Sequence, residues 1–276
     1  FHRENARTID DLREEISLTS ADSVVERVSY LWFNRFIALR YMDVNNYTFT
    51  GILTPQTGHT QPEILQEAKE GNYSRDFEYY VKPKVIEDIL SGRTPSSNPQ
   101  QDVYRLLIVA ACNFYHSLMP FIFEEINDYS ELLMPEDLLS DASIINEVRN
   151  ILTEDTCRDV EVIGWLYQFY ISEKKDQVFD DLKKNVKISP ENIPAATQLF
   201  TPHWIVRYLV ENSLGRLWLL NHPGSSLKSE MEYYIEPVAE EKDYLVIDTP
   251  EELKICDPAC GSGHMLTYTF DLLYKI

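Results

Sequence analysis

The chain has 276 residues, 44% of them hydrophobic and 12% aromatic, enough for one large domain or two ordinary ones, which excludes a wholly disordered chain. Its formal net charge is −20, which disfavours nucleic-acid binding through this chain itself, because non-specific DNA affinity comes from basic patches. It contains no run of about eighteen apolar residues and no secretory leader, so neither a membrane span nor export is expected and a cytoplasmic protein is.

In chain order, Thr8 to Ile16 reads as a short charged helix. Ser20 is a good N-cap for a long helix to about Asp43, with Val25, Val28, Trp32, Phe36 and Leu39 as its apolar stripe and Arg27, Arg35 and Arg40 on a solvated or salt-bridged face. Asn45 to Pro62 reads as a loop with a short hairpin around Thr48 to Leu53, in which His59 is simply polar. Helices are expected over Pro62 to Glu70 and Phe77 to Leu90, then an exposed turn from Gly92 to Pro99. A buried helix follows from Asp102 to Leu118, with Leu106, Val109, Ala110 and Asn113 inward and His116 capping its end or lying at the surface. Pro120 breaks it, Phe121-Ile122-Phe123 starts a new short element, and a further helix is expected over Ser143 to Leu152. Val160 to Ser172 is apolar almost all round, as expected of a helix central to the core. Lys174-Lys175 and Lys183-Lys184 read as a solvated face. The four cysteines, Cys112, Cys157, Cys256 and Cys260, lack zinc-ribbon spacing and read as reduced, buried thiols. Residues 1–190 thus form a mainly helical N-terminal domain.

Chemistry is concentrated in two later stretches. Ser189 to Pro194 marks a boundary, and Phe200-Thr201-Pro202 then opens a helix, with Thr201 suited to the N-cap, Pro202 to the first helical position, and Ile205, Val206, Leu209, Val210, Leu217 and Leu220 as its apolar face. Free amides at such a start can receive an anionic group, although a well-capped helix with no ligand explains the local sequence equally well. Further on, Lys254-Ile255-Cys256 reads as a short buried strand, followed by Asp257-Pro258-Ala259-Cys260-Gly261-Ser262-Gly263-His264 and a helix running from Ser262, with Leu266, Phe270 and Leu273 on one face. Gly261 and Gly263 allow backbone to approach a ligand closely. A dinucleotide fingerprint needs a third glycine where Leu266 stands, and no Gly-Lys-Ser/Thr is present to make a P-loop. A nucleoside-like ligand without a phosphate pair remains, and S-adenosylmethionine fits.

Asp257-Pro258-Ala259-Cys260-Gly261-Ser262-Gly263 resembles the cofactor motif of DNA N6-adenine methyltransferases, and Phe200-Thr201-Pro202 resembles their second cofactor motif in the gamma order. Arg3-Glu4-Asn5-Ala6-Arg7, Trp32-Phe33-Asn34-Arg35-Phe36, Ile163-Gly164-Trp165-Leu166-Tyr167-Gln168 and Arg216-Leu217-Trp218 are similar to the PglX-type methyltransferases of BREX bacteriophage-defence systems. Type IIG restriction–modification enzymes and type I modification subunits are near neighbours. The resemblance implies that residues 191–276 begin an α/β Rossmann-like methyltransferase domain with S-adenosylmethionine as cofactor. Asp257 would orient its methionine amino group, the backbone at Gly261 and Gly263 would close on it, and Thr201 with the helix start would receive its carboxylate. A flipped adenine would accept the methyl group on its exocyclic nitrogen. The Asn/Asp-Pro-Pro-Tyr/Phe motif of such enzymes occurs nowhere in the 276 residues. The chain therefore reads as a segment of a longer protein, unable to methylate DNA alone and binding cofactor weakly, with DNA and other defence proteins as partners of the parent. A segment that acts mainly as an acidic docking module is the alternative. A restriction enzyme that also cuts DNA would need a clustered acid–lysine motif, and none stands out.

Overall fold

A computed structural model describes residues 6–120, 122–158, 161–197, 201–239, 241–260 and 263–276. The chain divides into two units, Phe1–Val160 and Glu161–Ile276. The described residues are mainly helical and contain no strand.

The first unit holds α1 (Ala6–Leu18), α2 (Ala21–Val44), α3 (Glu63–Lys69), α4 (Pro83–Leu90), α5 (Pro99–Leu118) and α6 (Ile144–Ile151). The Ser20 side chain caps α2 by accepting from the amide of Ser23, as its residue type suggests. From that start the core stripe is Val24, Val28, Trp32, Phe36 and Leu39, all buried. Val25 is 55% exposed, so the expected stripe is off by one residue at its N-terminal end. Arg27 does form a surface pair, with Glu15 at 2.8 Å. Arg35 does not lie on a solvated face. It is buried, its guanidinium sits 4.9 Å over the Trp32 ring, and Nη2 donates to the Glu124 carbonyl at 3.3 Å. Arg40 is half-buried and donates to Leu152 O and Thr54 Oγ1. Tertiary carbonyls outside α2, which helix periodicity does not reveal, draw these two arginines inward.

Asn45 to Pro62 forms no hairpin at Thr48 to Leu53. It wraps around the buried carboxylate of Asp43, which accepts from the amides of Ile52 (3.1 Å), Leu53 (2.7 Å) and Thr54 (3.0 Å) and from the hydroxyls of Thr48 and Thr54 (both 2.8 Å). Tyr104 of α5 donates to Ile52 O at 3.0 Å and locks the loop against the core. The helix expected from Phe77 begins only at Pro83, because proline fits the first turn and disfavours helix in the residue before it. Asn98 caps α5 and Pro99 opens it, three residues earlier than expected. Its deepest face is Val103, Tyr104, Leu107, Ile108, Ala111 and Cys112, whereas Leu106, Val109 and Asn113 are half-buried. Asn113 pairs both ways with the backbone of Ile126, His116 Nδ1 contacts Phe123 O at 2.7 Å, and Arg105 donates to carbonyls of Glu131, Met134 and Pro135. These side chains staple the following loop to α5. Ser143 caps α6. Arg3, Glu4, Asn5, Phe121 and Val160 lie outside the described residues.

The second unit holds α7 (Glu161–Tyr170), α8 (Ser172–Lys183), α9 (Ile193–Thr197), α10 (His203–Val210), α11 (Arg216–Asn221) and α12 (His264–Tyr274), with a π-turn at Glu211–Gly215 joining α10 to α11. No residue of α7 is fully buried, and Phe169 is 69% exposed, so this helix is not the core element its composition suggested. Helix α8 packs on it. Lys183 and Lys184 pair with Asp180 and Asp181 one turn earlier on a solvated face. The core of this unit is Val206, Val210, Leu214, Trp218, Leu227, Met231, Ile247 and Leu272, so α10, the π-turn, α11 and α12 share one apolar cluster.

Among the described residues no helix is long and apolar enough to cross a membrane.

Candidate functional site

The two sequence motifs fall on the elements around this cluster. α10 begins at His203, not at Pro202: the Pro202 carbonyl accepts from the amides of Ile205 (2.9 Å) and Val206 (3.2 Å), which makes Pro202 the N-cap. Thr201 therefore stands one residue outside the helix, and no side chain caps this end. The reason is local: Pro202 has ψ 140°, an extended value, so the helical turn cannot include it. Val206 and Val210 are buried as expected, Leu217 is half-buried, and Leu209 is exposed. Phe200 lies outside the described residues.

At the second motif, Asp257 uses one carboxylate oxygen to accept from the Ala259 amide at 3.0 Å, closing a small turn. Gly263 donates to the Cys260 carbonyl at 2.8 Å and has φ +84°, the left-handed region that glycine enters without steric cost. It is the N-cap of α12, which starts at His264, and Thr267 donates to its carbonyl from both amide and hydroxyl. Gly261 and Ser262 lie outside the described residues. Leu272 and Thr269 form the deepest face of α12, with Met265, Tyr268 and Leu273 packed beside them, while Phe270 is 65% exposed. The inward face is thus rotated from the expected Leu266–Phe270–Leu273 line.

Lys254-Ile255-Cys256 is not a buried strand here. It has no strand pairing among the described residues, and Ile255 is 43% exposed. A strand exists only against a neighbour that takes up its amides and carbonyls, and no second strand accompanies it among these residues. Cys256 and Cys260, expected to be buried, are exposed, whereas Cys112 and Cys157 are buried as expected. Burial pushes the Cys112 thiol up to about 12, so it is inert at neutral pH.

An open groove of about 530 Å³ runs beside the second motif; Thr201, Pro202 and the first residues of α10 are not among its lining residues. One wall is Val210, Ser213, Leu214 and Leu217; the other is the stretch Leu253 to Pro258 with Met265, Leu266 and Thr269. Its size suits a small ligand. Asp257 and Pro258 lie on it, and Asp257 is its only acidic lining residue among those described. Only one described donor reaches the Asp257 carboxylate, which leaves most of its acceptor capacity for a cationic group.

Several residues that organise this region were not singled out from the sequence. Glu211 is 0% exposed and accepts from Tyr268 Oη (2.7 Å), Arg207 Nε (3.2 Å) and the Tyr233 amide (2.5 Å). Burial and the Glu211 bond push the Tyr268 hydroxyl up to about 12. Asn212 and Asn221 use their side-chain amides as a strand would use its backbone. Asn212 pairs with Ile235 N and Tyr233 O, and Asn221 with Ile247 N and Leu245 O. A Glu-Asn pair directly after four positions of an apolar helix face was the available signal.

No family model matches the chain. Over a 264-residue alignment covering 92% of the chain it is 43% identical to the adenine-specific methyltransferase BrxX of Escherichia coli O9:H4 (strain HS). The chain is homologous to a segment of PglX-type methyltransferases. A 278-residue alignment, again 92% of the chain, gives 37% identity to the adenine-specific methyltransferase PglX of Lacticaseibacillus casei (strain Zhang). The chain spans about a fifth of the length of these relatives, 21% and 22% respectively. Both motifs lie in a chain that is matched almost throughout, so the likeness extends well beyond a glycine turn.

Proposed function

We propose that this chain supplies one side of the S-adenosylmethionine pocket of a DNA adenine-N6 methyltransferase of the BREX phage-defence type, with residues 191–276 as the start of its α/β methyltransferase domain. The observation that carries the reading is 43% identity over 92% of the chain to a protein named for adenine-specific methylation. The fit of the site supports it. Asp257 keeps free acceptor capacity for the cofactor's ammonium group, and the groove beside it is mostly apolar and of ligand size. Pro258, Ala259 and Cys260 continue the turn, the left-handed Gly263 starts α12 without a side chain in the way, and Gly261 belongs to the same motif in sequence. Phe200, Thr201 and Pro202 precede a helix whose first amides, on His203 and Trp204, have no partner among the described residues and favour a carboxylate.

The bound cofactor would supply a methyl group on a good leaving group. The residues of this chain would do the holding: Asp257, on the groove, would orient the amino-acid end, the open and mostly apolar groove would take up the less polar parts, and the α10 start, to which the motif assigns the carboxylate, lies outside the groove's lining. The groups that would grip the target base are not among the motifs of this chain, so it binds cofactor weakly and does not methylate DNA alone. An acidic chain contributes little to DNA affinity, and DNA contacts belong to other parts of the parent protein.

The test is a chimera in which this chain replaces the matching fifth of the E. coli relative. The chimera should methylate adenine in DNA, and Asp257→Ala should reduce its rate by about tenfold or more. An inactive chimera beside an active parent, or full activity with Asp257→Ala, would contradict the proposal.

A further inference from the structure

A buried carboxylate that belongs to neither motif, that of Glu211, accepts from residues of both α10 and α12. We infer that Glu211 is a positioning residue for the cofactor site: by binding Tyr268 of α12 and Arg207 of α10 at one point, it sets the two helix starts that would hold the cofactor. This rests on the cofactor reading given above.

The geometry converges on Tyr268, one turn into α12. Its hydroxyl donates to Glu211 Oε1 at 2.7 Å, and Arg207 Nε reaches the same carboxylate oxygen at 3.2 Å. Its ring meets the ring of His203, the first residue of α10, edge to face at 5.8 Å, and the Arg207 guanidinium lies 5.7 Å over it. Thus Tyr268 touches the beginning of α10 with its ring and the end of α10 with its hydroxyl. The second oxygen of Glu211 accepts the Tyr233 amide, so both carboxylate oxygens are engaged. A tyrosine hydroxyl is protonated at neutral pH, so that of Tyr268 is the donor in its bond to Glu211.

The backbone around Glu211 is built for this approach. Glu211 begins the π-turn Glu211–Gly215, whose extra residue interrupts the regular helix. At the end of the turn, a Cβ on Gly215 would collide with Met231 Sδ and lie 3.5 Å from Leu272 of α12. The π-turn thus turns a charged side chain inward towards Tyr268 of α12, and the glycine at its end makes room for Met231. An isolated buried ion pair contributes little net stability against a well-packed apolar alternative, so a geometric role accounts for the carboxylate better than a stabilising one.

The test uses the whole chain with Tyr268→Phe, which keeps the ring and its contact with His203, and with Glu211→Gln. Both are titrated with S-adenosylmethionine under conditions in which circular dichroism shows the protein fully folded. Each variant should weaken cofactor affinity about five- to tenfold, and the double variant should be no weaker than the worse single one, since both cut the same tie. Amide exchange is read in parallel at Ile205 and Val206, which bond to Pro202 O, and at Thr267, which bonds to Gly263 O. Tyr268→Phe should speed exchange at both helix starts about tenfold and leave α2 unchanged. Unchanged affinity and unchanged exchange in a folded Tyr268→Phe protein would overturn the inference and leave Glu211 a packing element. If the wild-type chain binds no cofactor, the cofactor reading fails by itself, and exchange alone then decides whether Glu211 sets the two helix starts.

Discussion

Two aspartates, Asp43 and Asp257, show how one side-chain type serves two purposes in this chain. Each accepts a backbone amide at the beginning of a loop. Asp43 is buried and takes five donors from Thr48, Ile52, Leu53 and Thr54, so nothing is left over for a ligand. Asp257 is half-exposed on an open groove and takes one described donor, the Ala259 amide. The first is a folding device whose acceptor capacity is used up internally. The second has capacity to spare, and that difference separates a structural carboxylate from a candidate binding one.

The comparison can be broken most decisively at Asp43. Asp43→Ala leaves two buried amides and one half-buried amide without an acceptor, and urea unfolding of the first unit should show a loss of about 3 kcal/mol. A loss below about 0.5 kcal/mol, the range of ordinary surface substitutions, would mean that the loop does not depend on that carboxylate. Asp257→Ala in the same assay should stay within about 0.5 kcal/mol, because its one bond lies near the surface. Gly263→Ala is intermediate: forcing a side chain into φ +84° should cost about 1 kcal/mol in thermal unfolding. Gly224, which meets nothing within 4 Å and has no left-handed φ, should tolerate alanine and serves as the control.

A further effect concerns pH. The Tyr268 hydroxyl is raised from 10.0 to about 12 in the folded protein, so it holds its proton more tightly folded than unfolded. Its contribution is therefore fully present below pH 10 and is lost as pH rises towards 12. Chemical denaturation at intervals from pH 9 to 12 should show wild type losing more stability across that window than Tyr268→Phe. Parallel curves would argue against the Glu211–Tyr268 bond.

Much of the first unit was legible because helix signals are local. Ser20 and Ser143 announce their helices, and the spacing of Val28, Trp32, Phe36 and Leu39 reveals the core of α2. What was not legible depends on partners distant in sequence. Arg35 looks like a surface charge until Trp32 and the Glu124 carbonyl are seen around it. Asp43 looks like a helix end until the loop nine to eleven residues later folds onto it. The apolar α7 looks central, yet apolarity says nothing about how much neighbouring surface exists to cover it. At the candidate site, residue types suggested a chemistry but not the frame. Asp257 and Gly263 were evident from their motif, whereas Glu211 was hidden because a glutamate beside an apolar helix face ordinarily points to solvent. Lys254-Ile255-Cys256 has strand composition, but a strand is a property of a pair.

The central claim is that Asp257 and the surrounding turn bind S-adenosylmethionine. An NMR titration of the wild-type chain with S-adenosylmethionine should give saturable shifts at Asp257 to Thr267 and at His203 to Val206, and Asp257→Ala should weaken them about tenfold or more while the chain stays folded. Saturation with the same affinity in Asp257→Ala, or shifts confined to the first unit, would contradict it.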